Sequence, residues 1–208
     1  YNGDFNTIKN NLNTCIEAVN TLVADANMLS KAAVDGRLAT RADATRHQGD
    51  FRRIVEGVND TLNAVIGPLN VAANYVDRIS KGDIPPKITD SYNGDFNTIK
   101  NNLNTCIEAV NKLVADARML SEAAVAGRLD TRAEAFTHQG DFRKIVEGVN
   151  ETLDNVVGPI NDVRRVMAAM EHGDMTQTIT AHYNGDFDAL KQAINNTIAK
   201  LADTIGQI

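Results

Sequence analysis

The sequence predicts an all-α fold, and three observations predict it. The chain repeats itself, because Tyr1–Asn20 and Tyr92–Asn111 are identical and lie 91 residues apart. Apolar residues recur within each repeat at alternating spacings of three and four, which is typical of a helix that packs against other helices. Aromatic residues make up only 5% of the chain and Trp is absent, a composition that suits narrow helical bundles better than one large globular core.

Two kinds of glycine divide each repeat into shorter units. The first kind opens a Gly-Asp-Phe triplet, and the second kind follows 33 residues later in every case. The return from the second glycine to the next triplet takes 13 or 12 residues. We expect the stretch of constant length to be a helix whose register matters, and the variable stretch to be a connector. The triplet glycines are Gly3, Gly49, Gly94, Gly140 and Gly185, and the connector glycines are Gly36, Gly82, Gly127 and Gly173.

Each triplet predicts the start of a helix. The glycine allows a turn, and the aspartate that follows lies in the first helical turn, where a negative charge is favourable to the helix dipole. The predicted helix starts are Asp4-Phe5, Asp50-Phe51, Asp95-Phe96, Asp141-Phe142 and Asp186-Phe187.

An apolar seam at heptad spacing follows the triplets of the identical segments. From Phe96 this seam passes through Ile99, Leu103, Cys106 and Val110 and continues to Ala124. Its equivalent starts at Phe5 and includes Cys15. We expect both cysteines to act as small buried hydrophobic residues on the seam.

The connector is long enough to bring the next helix back parallel to the first. At roughly 3.3 Å per residue it can span about 40 Å, whereas a helix of about 17 residues is only about 25 Å long. Apolar residues at constant offsets are expected to hold it against the bundle, whereas a loose linker would need no such pattern. These residues are Leu38 and Ala42, Ile84 and Ile88, Leu129 and Ala133, and Met175 and Ile179.

The two other helices have a different apolar phase. From Phe51 the seam passes through Ile54, Val58, Leu62 and Val65, with two successive spacings of four. Such a stutter locally unwinds a coiled coil. A Gly-Pro pair follows in each of these helices, at Gly67-Pro68 and Gly158-Pro159, where a kink is plausible. We therefore predict alternating junctions and neighbouring units in alternating packing states. The alternative is that the stutter only compensates geometrically for the proline.

These features together resemble the HAMP domain. Gly82-Asp83-Ile84 with Ile88 is similar to the HAMP connector, Asp95-Phe96 to the acidic start of its second helix, and Pro68 and Pro159 to the proline that often opens its first helix. The resemblance covers the whole chain and implies stacked parallel four-helix bundles, one homodimeric bundle per unit, in an elongated rod. The sequence also requires a partner independently, because one helix pair cannot bury both of its seams.

The resemblance divides the chain into a leading second helix and four units. Residues 1–20 form the leading helix, and the units are residues 21–66, 67–111, 112–157 and 158–208. Because the first motif begins at residue 1, we expect the chain to be part of a longer protein.

Other classes of site and partner are disfavoured. The net charge of −6 and the scattered basic residues argue against nucleic acid. No metal-binding spacing, cofactor loop or small-molecule site is evident, and His47 and His138 are expected to be exposed. We expect no enzymatic activity. The two unpaired cysteines suggest a reducing compartment, so we also expect a cytoplasmic location, either in a cytoplasmic protein or in the cytoplasmic part of a membrane-anchored receptor.

The function that the resemblance implies is a conformational signal relay between the sensor and output domains of a bacterial chemoreceptor or sensor histidine kinase. Two alternatives remain open. One is a passive rod that sets the spacing between domains. The other is a helical-repeat solenoid that binds a peptide, which predicts a monomer with antiparallel helices.

Overall fold

The computed structural model describes residues 3–206, and within that range all regular structure is helical. Five α-helices are joined by connectors, two of which contain a short 3₁₀ turn, and this confirms the all-α prediction. Tyr1 and Asn2 of the leading motif, and Gln207 and Ile208 of the last unit, lie outside the described residues. The helices are α1 Asp4–Val34, α2 Gly49–Ser80, α3 Gly94–Val125, α4 Gly140–Glu171 and α5 Asp186–Gly206, and the 3₁₀ turns are Ala44–Arg46 and Ala135–Thr137.

The connector glycines end the helices. Gly82 has a φ of 78°, a left-handed conformation that costs a glycine little. Its N–H donates to the Ile79 carbonyl at 3.0 Å, and the Asp83 N–H donates to the Arg78 carbonyl at 3.0 Å. This pattern satisfies carbonyls that the helix end would otherwise leave free. Gly36, Gly127 and Gly173 have the same positive φ, so the second glycine of every unit has one structural role.

The order of contacts along the first connector establishes that α1 and α2 are parallel. His47, at the end of this connector, is hydrogen-bonded to Asp25 in the body of α1. Further along α2, Asn59 bonds to Ala42, and the later residue Asn63 bonds to Arg41. Later positions of α2 thus contact earlier positions of the connector. The connector therefore runs back along α1, and α2 then retraces the direction of α1. The parallel arrangement predicted from connector length is confirmed in this unit.

The chain divides into two compact units, Tyr1–Ile107 and Glu108–Ile208. The second contains the repeat-equivalent contacts, with His138 bonded to Asp116 and Asn150 bonded to Ala133. Its core is formed by Val166, Ile179 and Ile198, one from each of α4, the last connector and α5. The finer boundaries at residues 21, 67, 112 and 158 fall inside continuous helices and stay a prediction.

Two adjacent apolar stripes run along α2 and α4. One stripe is buried within the chain and includes Val55 and Ile66 in α2. The neighbouring stripe remains open to solvent, with Ile54 at 49% and Val58 at 42% exposure. Its members are Ile54, Val58, Val65, Leu69 and Val76 in α2 and Ile145, Val149, Val156, Ile160 and Met167 in α4. We call this second set the open stripe.

The predicted seam of α3 does not coincide at every position with the residues that the single chain buries. Cys106 is exposed, whereas the adjacent Ile107 is only 1% exposed. Cys15 is likewise exposed in α1. The same occurs near the end of α3, where Ala124 is exposed and the adjacent Ala123 is 2% exposed. The alternation of junctions stays a prediction.

Candidate functional site

Each connector is held to the helices through the second of its two predicted apolar residues. Ala42, Ile88, Ala133 and Ile179 are all buried. The first residues of the pairs lie further out. Leu38 and Leu129 are exposed at 43% and 38%, while Ile84 and Met175 are half-buried. The prediction that apolar residues hold the connector against the bundle is thus confirmed at the second position and only partly met at the first.

An asparagine from the following helix bonds to both backbone groups of each buried connector residue. In the second connector, the Ile88 N–H donates to Asn104 Oδ1 at 2.7 Å, and Asn104 Nδ2 donates to the Ile88 carbonyl at 3.0 Å. Asn59, Asn150 and Asn195 make the same two bonds to Ala42, Ala133 and Ile179, at 2.8 to 3.1 Å. We call this arrangement the asparagine clamp. It satisfies a buried amide and a buried carbonyl that have no helix or sheet partner.

These asparagines were not among the predicted site residues, although the repeat contains a signal for them. Each lies ten residues after a triplet glycine, and Asn13 occupies the same position in the leading helix. A polar residue at a constant offset within an otherwise variable helix surface indicates a constant partner. That partner was not evident because it is a backbone group of the connector, which no side-chain pattern reveals.

A second contact joins the end of each His-containing connector to the preceding helix, and here a prediction was wrong. His47 and His138 were expected to be exposed, but the side chains of both are only 1% exposed. The Nε2 of His47 lies 2.7 Å from Oδ2 of Asp25, and that of His138 lies 2.5 Å from Oδ2 of Asp116. The partner lies 22 residues earlier in both cases. The burial results from this long-range pairing, which the local turn sequence does not encode.

The other two connectors end in a tyrosine, Tyr92 or Tyr183, at the position of the histidine. We call these the Tyr-type connectors and the other two the His-type connectors. The hydroxyl of Tyr183 donates to Oδ2 of Asp162 at 2.6 Å. This bond and partial burial raise the pKa of Tyr183 above its ordinary value of 10.0, since both favour the neutral phenol. The repeat equivalent of Asp162 is Val71, which lines an apolar contact with Tyr92. We call the contact between a connector end and the preceding helix the tether, and its chemistry changes from unit to unit.

Charged groups at the connector start complete the site. The Arg78 guanidinium donates two hydrogen bonds to the Asp83 carboxylate, at 2.7 and 3.3 Å, and lowers the pKa of Asp83. Thr176 donates to Asp174 through both its hydroxyl and its amide and lowers the pKa of that carboxyl. These carboxylates are exposed or half-exposed. They shape the first turn of the connector and do not form a reactive cluster.

The predicted junctions lie inside helices that continue without a break. Pro68 is half-buried in α2 and Pro159 is buried in α4, and open space surrounds Gly67 and Gly158. The predicted helix starts coincide with the observed ones within a residue. Their aspartates are exposed; Phe51, Phe96, Phe142 and Phe187 are half-buried, and Phe5 is exposed. Pro68 lines a small apolar pocket together with the connector residue Ile88 and with Phe96 at the start of α3.

Two equivalent apolar grooves lie between first and second helices. The groove in the first unit has a volume of about 220 Å³ and is lined by Leu22, Leu29, Ile54 and Val58 among others. Its counterpart near Leu113 and Val149 measures about 250 Å³. Each groove includes members of the open stripe. Among residues 3–206, no cluster of three or more His, Cys, Asp or Glu side chains could hold a metal ion.

Between residues 3 and 206, no helix combines the length and the apolar character that a bilayer span requires.

Comparison with known proteins agrees with this geometry. The HAMP domain family matches residues 46–112 and 137–203, each match containing one full Tyr-type connector and the helices on both sides. The methyl-accepting chemotaxis protein McpB of Pseudomonas aeruginosa is 34% identical over 93 residues, which cover 45% of this chain and 14% of that protein. The chain thus corresponds to a small part of McpB. Because the two family matches cover more than half of its residues, the chain belongs to the HAMP domain family.

Proposed function

We propose that this chain relays conformational signals within a bacterial receptor of the chemotaxis type, as a parallel homodimer of tandem HAMP units. The observation that carries the proposal is the pair of parallel helices with an open apolar stripe beside a buried one. A relay needs an element with two packing arrangements of similar energy. Helices that are packed on one side and open on the other supply such an element once a partner covers them.

The partner that fits the open stripe best is a second copy of the chain. Five large apolar residues of α2 and five of α4 are each at least 40% exposed, which marks a surface that a partner covers. It repeats with the period of the helices, so an identical chain placed in parallel offers a matching stripe at every level. The apolar grooves of about 220 and 250 Å³ would receive the partner's side chains. Dimerisation would turn each helix pair into a four-helix bundle.

The signal would travel between flanking sensor and output domains of a longer parent protein located in the cytoplasm. The units would be residues 21–66, 67–111, 112–157 and 158–208, following a leading helix at 1–20. We retain Gly67-Pro68 and Gly158-Pro159 as the junctions where packing changes pass between units, because proline removes a helical hydrogen bond and makes bending easier. In this proposal the chain itself performs no catalysis.

Single-residue insertions in the full-length receptor distinguish the relay from a passive rod. We compare an insertion within α2, after Ala64, with an insertion in the connector, between Thr89 and Asp90. A relay predicts that only the helix insertion changes the output, because it rotates every downstream residue by about 100°. A passive rod predicts equal effects of the two insertions. Equal effects on output would therefore contradict the relay.

The peptide-binding solenoid is the weaker alternative. It requires antiparallel helices that bury their faces within one chain. The contacts of His47 with Asp25 and of Asn59 with Ala42 require parallel helices instead, and the open stripe remains uncovered. Sedimentation equilibrium of the chain tests this directly: we expect twice the monomer mass, and a monomer that binds peptides along the open stripe would favour the solenoid.

A further inference from the structure

We propose that the asparagine clamp fastens each connector to its second helix, so that the two move as one body against the first helix. The inference rests on the proposed relay function and assigns a positioning role to Asn59, Asn104, Asn150 and Asn195. It identifies the boundary between the connector and the first helix as the place where the two packing arrangements differ.

The clamp is well suited to fasten two segments regardless of local sequence. Both bonds go to the connector backbone, so they form equally to Ala42 and to Ile88. The distance in sequence from the clamped residue to its asparagine is 17 in the His-type connectors and 16 in the Tyr-type connectors. The clamp therefore has the same geometry in all units, although the connectors differ in length by one residue.

Separation of the connector from the second helix would break the two backbone bonds that recur in every unit. In the last unit, separation would leave the N–H and the carbonyl of Ile179 without partners and would withdraw a 2%-exposed side chain from Ile198. Unpaired buried backbone groups are strongly disfavoured. Lys191 of α5 adds a further bond to the Ala181 carbonyl of the same connector at 2.7 Å.

The contacts between the connector and the first helix differ from unit to unit, as expected where the two segments move relative to each other. The tether is His47 with Asp25 in one unit and Tyr183 with Asp162 in another. In the unit between residues 67 and 111, Val71 replaces the aspartate. Even the two His tethers differ, because Arg46 also bonds to Asp25 at 3.4 Å, whereas a threonine stands at the equivalent position. The asparagine bonds are thus the same in every unit, whereas the tether differs.

Amide hydrogen exchange of the full chain, measured by nuclear magnetic resonance, tests the inference. The Ile179 N–H should exchange at least about tenfold faster in Asn195→Leu, which removes its acceptor. Asn195→Asp keeps an acceptor oxygen and should retain most of the protection. Asp162→Val, which cuts the tether and copies the natural valine of the other repeat, should change the Ile179 rate by less than about twofold.

A comparison within the unaltered chain avoids any effect of substitution on folding. The Ile88 and Ile179 amides should be protected to within about threefold of each other, although only the latter unit has the Tyr-Asp tether. The inference is overturned if Asp162→Val exposes Ile179 as much as Asn195→Leu does, or if Ile88 is far less protected than Ile179. Because the measurement involves no signalling output, the clamp and the relay can fail independently of one another.

Discussion

Replacement of Ile107 by alanine should destabilise the chain far more than replacement of its neighbour Cys106. Ile107 is 1% exposed and Cys106 is exposed. Removing three carbon groups from a buried site costs about 2.4 kcal/mol in transfer free energy at about 0.8 kcal/mol per group. The residual cavity adds to this, and buried isoleucine-to-alanine changes cost about 2–5 kcal/mol in total. Exposed positions usually change stability by less than about 0.5 kcal/mol.

The repeat offers a matched control for this comparison. Ile16 lies in the same 20-residue sequence as Ile107 but is 56% exposed. Ile16→Ala should therefore cost about 1 kcal/mol or less. The assay is urea unfolding followed by circular dichroism, at one protein concentration because association shifts the midpoint. Equal losses for Cys106→Ala and Ile107→Ala would refute the assignment of Ile107 to the buried face of α3.

Three further changes test other parts of the site. Alkaline titration of Tyr183, followed by its ring resonances, should show ionisation above pH 10.0, and Asp162→Val should lower that pKa. Because the pKa of Tyr183 is raised in the folded state, its hydrogen bond to Asp162 stabilises the fold at neutral pH. This contribution is lost as the pH rises through the raised pKa. Asp25→Ala leaves the buried His47 without its partner and should cost about 1–3 kcal/mol in urea unfolding, whereas a cost near zero would show that the pair is dispensable. Val58→Asp with Val149→Asp places charges on the open stripe and should reduce the mass in sedimentation equilibrium to that of a monomer, while Glu151→Lys on an exposed helix position should leave the dimer intact.

The sequence predicted the helices and their parallel direction because these depend on spacing. Constant intervals between glycines set the helix limits, and the length of the connector was sufficient to infer its return along the first helix. The burial of Ile88 and Ile179 also followed from their constant offsets. Such features depend on distances along the chain, which a repeat makes visible.

The errors arose where burial depends on which segment lies opposite. Heptad counting could not choose between the adjacent apolar residues Cys106 and Ile107, because that choice depends on where the connector packs. His47 was expected in solvent because its partner, Asp25, lies 22 residues away and belongs to another element. Asn104 was overlooked for the same reason, since its partner is a backbone group. The alternation of junctions stays a prediction, and the variable tethers are a difference between units that the sequence did not reveal.

The most direct test of the relay is whether a packing change in one unit reaches the next. Spin labels on Glu151 of both protomers, in a chain with Cys15→Ser and Cys106→Ser, report the interchain distance at α4. We predict that one residue inserted in α2 after Ala64 changes this distance distribution, and that one residue inserted between Thr89 and Asp90 leaves it unchanged. An unchanged distribution after the helix insertion would contradict the relay and would favour a passive rod.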